Sequence, residues 1–103
     1  MTISLTELRV PMATSVSTTE DVLTVDLSDG RTISVPLTWY PRLFHGTPAE
    51  RKKWRLIGGG EGINWPDLDE DLSVEGLIAG RPSVETARSL QRWHDRRAVK
   101  KKK

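Results

Sequence analysis

The chain has 103 residues, 36% of them hydrophobic, with no cysteine and a formal net charge of +2. This suffices for one modest core and excludes disulfides, thiol chemistry and cysteine-ligated metal centres. The sequence holds neither an apolar run of membrane-spanning length nor a basic start followed by an apolar stretch, so a cytoplasmic protein is expected.

Charge is unevenly placed. Residues 1–80 carry seven Lys/Arg against twelve Asp/Glu, whereas residues 81–103 carry nine against two. The basic balance therefore belongs to the C-terminal end, and the body is acidic.

Up to about Pro11 the chain shows little periodicity and reads as a loose arm or an edge segment. A first strand is expected over Met12–Ser17, followed by a turn at Glu20-Asp21. Leu23, Val25 and Leu27 then alternate with polar residues, as do Ile33, Val35 and Leu37, on either side of Ser28-Asp29-Gly30. This is a hairpin pattern. A two-residue Asp29-Gly30 turn would place the two apolar sets on opposite faces. A three-residue loop with Gly30 left-handed places them on one face and is the expected form.

Thr38 reads as the cap of a short helix from Trp39 to His45 that stops at Gly46. Thr47-Pro48-Ala49-Glu50 is a capping box with proline at the first helical position, opening a helix to about Trp54. Leu56-Ile57 leads into a strand, Gly58 to Gly62 turns, and Ile63-Asn64-Trp65 is a strand ended by Pro66. Asp67 to Asp71 reads as a solvated acidic loop. Ser73 caps a helix from Val74 to Ala79 that closes at Gly80. Beyond Arg81, Val84, Ala87, Leu90 and Trp93 recur every third residue, a weak amphipathic pattern capped at Ser83. The end then passes through Arg96-Arg97 into four lysines and reads as disordered. The fold class expected is α+β: a small antiparallel sheet, made of the hairpin and later strands, with short helices. The division is a domain over 1–82 and a basic helical or disordered tail over 83–103.

The chemistry-bearing patterns are few. The glycine run matches no phosphate-binding fingerprint and reads as a tight turn joining two strands. A calcium loop starting at Asp67 would need Gly and Glu where Leu72 and Ile78 stand. His45 and His94 fit no metal spacing, and no nucleophile signature is present. No cofactor, metal ligand or catalytic residue is assigned. Trp54 and Trp65 adjoin apolar runs and read as core, whereas Trp39-Tyr40 reads equally as core or partner contact. The C-terminal cations read as phosphate contacts, as a solubilising tail, or as a segment docking on the acidic loop at 67–75.

The stretches VLTVDLSDGRTISVPLTWYPRL and TPAERKKWRLIGGGEGINWPDLDEDLSVEGLIAG resemble a bacterial family of unknown function, DUF2442, over about Ala13 to Pro82. The resemblance implies a small α+β fold and no activity. Members of such families often stand beside a second small protein, as in toxin–antitoxin pairs, so it also implies an antitoxin-like, partner-binding role. The leading expectation is a non-enzymatic protein–protein interaction module. Its surface would join Trp39, Tyr40 and Arg42 to Trp65, Asp67, Asp69 and Asp71, and would suit a basic partner. The alternative is nucleic-acid contact through Arg88, Arg92, Arg96, Arg97 and Lys100. A free edge strand leaves a homodimer open.

Overall fold

The structure, a computed structural model, describes residues 10–101. Most of the arm expected up to Pro11 therefore lies outside the described residues. Two three-stranded antiparallel sheets form the body. Strands β1 (Ala13–Thr18), β2 (Val22–Leu27) and β3 (Thr32–Pro36) make the first, in that order. Strands β4 (Arg55–Ile57), β5 (Gly62–Trp65) and β6 (Glu70–Ser73) make the second, also in chain order. The expected α+β class holds, with the strands divided between two sheets.

The β2–β3 hairpin has the expected register. Leu23 faces Val35 and Val25 faces Ile33. The Leu27 N–H donates to the Arg31 carbonyl at 2.8 Å, which leaves Ser28-Asp29-Gly30 as the loop, and Gly30 has φ 93°. Leu23, Val25, Leu27 and Val35 are thereby buried on one face. On the other, the Asp26 carboxylate accepts from the Ser15 and Thr32 hydroxyls at 2.6 and 2.8 Å. Those two hydroxyls hold the Asp26 pKa below the usual carboxylate range.

Between the sheets lie two short helices, α1 (Pro41–Phe44) and α2 (Pro48–Lys52). The single helix expected from Trp39 to His45 is instead a 3-10 turn over Leu37–Trp39 followed by α1, and the Thr38 side chain makes no capping bond. Pro41 is the cause. A residue before proline is pushed out of the helical region, and Tyr40 accordingly sits at φ −126°, ψ 88°. The capping box forms as expected: Thr47 Oγ1 accepts from the Glu50 N–H at 3.1 Å, and Glu50 Oε1 accepts from the Thr47 N–H at 2.9 Å. Arg51 is buried, and its guanidinium donates to the carbonyls of Leu43 and Gly46, at the end of α1, at 3.1 and 2.6 Å.

The glycine run splices the two sheets. The Ala13 N–H donates to the Gly60 carbonyl at 2.8 Å. Gly60 has φ 114°, and a Cβ there would stand 2.6 Å from the Ala13 oxygen, so only glycine allows this approach. After β5, a 3-10 turn over Pro66–Leu68 ends at Asp69, whose φ is 52°. The chain then reverses into β6, where a solvated loop was expected. Ile63 pairs with Leu72 and Asn64 with Asp71. Ser73 caps α3 (Val74–Ile78), its Oγ accepting from the Gly76 N–H at 2.9 Å.

The segment expected as a helical or disordered tail is helical over Ala87–Lys101, here α4, and the disorder expected from Arg96-Arg97 onward is corrected as far as Lys101. Its cap is Thr86, whose Oγ1 accepts from the Ser89 N–H at 3.1 Å; Ser83 instead shapes the approach by accepting from the Glu85 N–H at 3.0 Å. Trp93 is only 2% exposed and belongs to the same core as Leu23, Leu43, Trp65 and Leu68. Its indole N–H donates to the Leu68 carbonyl at 2.7 Å.

Candidate functional site

Among the described residues strand β6 is an edge: it pairs with β5 and with no other described strand. Opposite its free side runs the segment Arg81–Glu85, tied down by the Ser83 N–H to the Trp39 carbonyl at 3.0 Å and by the Tyr40 hydroxyl to the Arg81 carbonyl at 3.2 Å. Between the two lies a cleft of about 380 Å³ walled by Tyr40, Glu70–Ser73 and Arg81–Val84. It adjoins a second, of about 490 Å³, where Arg42, Asp69 and Asp71 face Glu85 and Ser89. A third, of about 500 Å³, is lined by Ile57, Glu61 and Gly62 together with Leu72 and Ser73 of β6. Asp71 lines all three.

The floor of this region is an ion-pair network. Arg42 donates from Nη2 to Glu85 at 3.2 Å and from Nη1 to the Asp69 carbonyl at 2.8 Å. The Arg42 guanidinium holds the Glu85 carboxyl below its usual range. Glu70, close by, is half-buried, and burial pushes its pKa up to about 7. Burial also raises the Tyr40 phenol, with the Glu70 charge adding to the effect. A carboxyl titrating near neutrality beside a charged arginine is the main electrostatic feature of the cleft.

The residues singled out from the sequence divide sharply. Arg42 and Asp69 do meet, across the Arg42–Asp69 hydrogen bond. Trp65 and Tyr40 are corrections: they are 0% and 3% exposed. The Trp65 indole N–H donates to the Arg51 carbonyl at 3.0 Å, so its polar tip is satisfied inside the protein and it offers a partner nothing. Trp39 is half-buried against the core. Asp67 is exposed and lies 3.4 Å from the Lys53 ammonium. Asp71 is exposed and accepts from the Asn64 side-chain amide. Apolar surface comes from residues the sequence did not suggest: Val84, 95% exposed, and Ile57, 38% exposed, with half-buried Leu72 between the clefts. Exposed Glu61 and Glu75 add negative charge at the rim of a neighbouring hollow that also touches Ser73.

The C-terminal cations divide too. Arg97 is taken: it donates to both Glu50 oxygens at 2.8 Å, and its guanidinium stands 4.6 Å from the centre of the Trp93 ring. The pair holds the Glu50 pKa at about 2. Arg88, Arg92 and Arg96 are exposed. The Lys100 side chain lies outside the described residues. The His45 and His94 rings meet edge to face, with centroids 4.9 Å apart. Among the described residues no three His, Asp or Glu converge as metal ligands, and no helix is long and apolar enough to cross a membrane.

Comparison with known proteins adds a family and a fold. A family model described as "Protein of unknown function (DUF2442)" matches residues 13–83. No curated protein matches the chain. A crystal structure of a protein of unknown function from Rhodospirillum rubrum is similar at 28% identity and TM-score 0.63, covering 73% of this chain and 93% of its own. A solution structure of an uncharacterized protein from Chromobacterium violaceum is similar at 23% identity and TM-score 0.61, covering 79% of this chain and 74% of its own. Helix α4 lies beyond the residues that the family model matches.

Proposed function

The chain belongs to the DUF2442 family, and from that premise we propose that it is a non-enzymatic, cytoplasmic protein–protein interaction module, the antitoxin-like half of a two-protein pair. Its contact surface is the free edge of β6 with the clefts that it lines. The observation that carries the reading is the composition of that edge. The edge strand β6, with its Asp71 N–H donating to the Glu70 carboxylate at 3.1 Å, lies between exposed carboxylates, Glu61, Asp69, Asp71 and Glu75, and apolar Ile57, Leu72 and Val84. Such a surface receives an extended segment by strand addition, backbone bonds supplying affinity and side-chain pockets selecting the sequence. The carboxylates favour a basic segment and speed its encounter. An apolar residue as exposed as Val84 has no packing role among the described residues and is available to an anchor pocket on a partner.

The partner in this reading is a small basic protein encoded alongside this one. The test is co-expression with the adjacent gene product followed by gel filtration, for the wild type and for a Val84→Asp, Glu75→Lys variant. The expected result is co-elution of the wild type and its loss in the variant, with the variant's own stability lowered by no more than about 1 kcal/mol, since both positions are exposed and Glu75 gives up only a first-turn charge of α3 and a 3.9 Å contact with Arg81. Co-elution that survives both substitutions, or wild-type proteins that never co-elute, would refute the reading.

A further inference from the structure

The outer side of α4 is independent of the β6 edge and carries the opposite charge. We propose that Arg88, Arg92 and Arg96 form a stripe that grips the phosphate backbone of a nucleic acid without reading its sequence. Residues four apart on a helix stand nearly one above another, about 6 Å apart along the axis. The three guanidinium groups therefore rise from one side of α4. All three residues are exposed, and among the described residues none forms an ion pair. Arg97, one position on from Arg96, marks the contrast: it faces the body and is consumed by Glu50 and Trp93.

Three features distinguish the stripe from a merely solvated charge run. The helix is fixed, since Trp93 is buried in the core and Arg97 is paired to α2, so its side chains lose less freedom on binding than those of a loose tail. The cations are arginines, whose planar forks match phosphate oxygens better than an ammonium does. The body is acidic, so a polyanion is repelled from the β6 side and drawn to α4. An anionic membrane is the weaker fit. Helix α4 has spent Leu90 and Trp93 on the core, and Val99 is the one large apolar residue it exposes among the described residues.

Carboxylates of α4 and of the body oppose the stripe, Glu85 among them, whose pKa the Arg96 charge helps to lower. Asp95, the one acidic residue of α4, accepts from Gln91 at 3.0 Å and lies beside the arginines. Arg96 also borders a small hollow lined by Asp67 and Asp69. Arg88 and Arg92 therefore carry the larger share, and Asp95 tempers it.

The experiment is fluorescence anisotropy of the full chain with a short labelled DNA duplex and a labelled single-stranded RNA, each of mixed sequence, over a range of salt. Binding is expected with little sequence preference and with a log–log salt slope on duplex at least as steep as about −2.7, from three phosphate contacts. Arg88→Ser with Arg92→Ser should flatten that slope by about 1.8 while leaving the urea midpoint unchanged. Asp95→Asn should tighten binding. The proposal is overturned if the arginine pair can be removed with no change in slope, which would hand the binding to the lysines at 100–103. It is equally overturned if the chain binds neither probe at low salt, or if it binds phosphatidylserine vesicles or polyglutamate as tightly as the duplex.

Discussion

Replacing Trp93 by alanine is the sharpest test of how α4 belongs to the protein. The side chain is buried, donates to the Leu68 carbonyl, and lies under the Arg97 guanidinium. Burying an aromatic of this size removes about 150–250 Å² from water, worth about 4–6 kcal/mol at ~25 cal/mol per Å². The hydrogen bond contributes about 1 kcal/mol more. Truncations of buried tryptophan in other proteins cost about 3–5 kcal/mol, and peeling of α4 from the body limits the loss to about the same figure. Against a total of about 5–15 kcal/mol for a domain, that is a large fraction. Urea denaturation followed by tryptophan fluorescence and circular dichroism, with amide exchange read along the chain, measures it. We expect a lower midpoint and loss of protection over residues 87–99, with β1–β3 still protected. Trp93→Phe, which loses the N–H but keeps most of the apolar area, should cost about 1–2 kcal/mol. An unchanged midpoint in the alanine variant, or α4 amides that stay protected, would refute the docking account.

Further outcomes follow from the same contacts. Gly60→Ala should cost about 3 kcal/mol or more, because the new Cβ meets the Ala13 carbonyl, a steric clash added to backbone strain. Gly30→Ala, where the Cβ meets open space but φ is still positive, should cost about 1–2 kcal/mol; equal losses in thermal melts would contradict the splice. Glu70 holds its proton more tightly folded than unfolded, so the stability it allows is full below about pH 4.5 and falls as pH rises to about 7. Glu70→Gln should abolish that fall and gain about 1–2 kcal/mol at pH 8, a figure reduced for partial solvent screening; a wild-type midpoint flat across the window would contradict it. Glu50 is the opposite case, its stabilisation present above about pH 4.5 and lost as pH falls to about 2. Glu50→Gln should therefore cost about 1–2 kcal/mol at pH 7 and nothing near pH 2, as read from melts at the two pH values.

Local rules carried the sequence reading a long way. The hairpin register was legible because one buried face allows one loop length, and the capping box and the Ser73 cap were legible because their side chains bond to backbone only three residues away. What was not legible depended on partners distant in the chain. Strand β6 hides behind the charges of Glu70 and Asp71 and exists because β5 offers it an edge. Its entry needs Asp69 in the left-handed region, which aspartate tolerates but does not announce. The break before Pro41 follows from proline sterics alone. Trp93 looked like part of a weak amphipathic pattern, since the groups that hold it, the Leu68 carbonyl and the Arg42 guanidinium 5.9 Å from its ring centre, are far away in sequence. The candidate surface inherited the same difficulty. Arg42 and Asp69 came together as expected, but Trp65 and Tyr40 turned inward, and the apolar contacts passed to Val84, Ile57 and Leu72.

Amide hydrogen exchange on the chain alone and in complex with its co-expressed neighbour tests the interaction surface most directly. The account predicts new protection concentrated in Glu70–Ser73 and in the facing segment 81–84, with the β2–β3 hairpin and the outer side of α4 unchanged. Protection confined to the hairpin or to α4, with β6 exchanging as in the free protein, would contradict it.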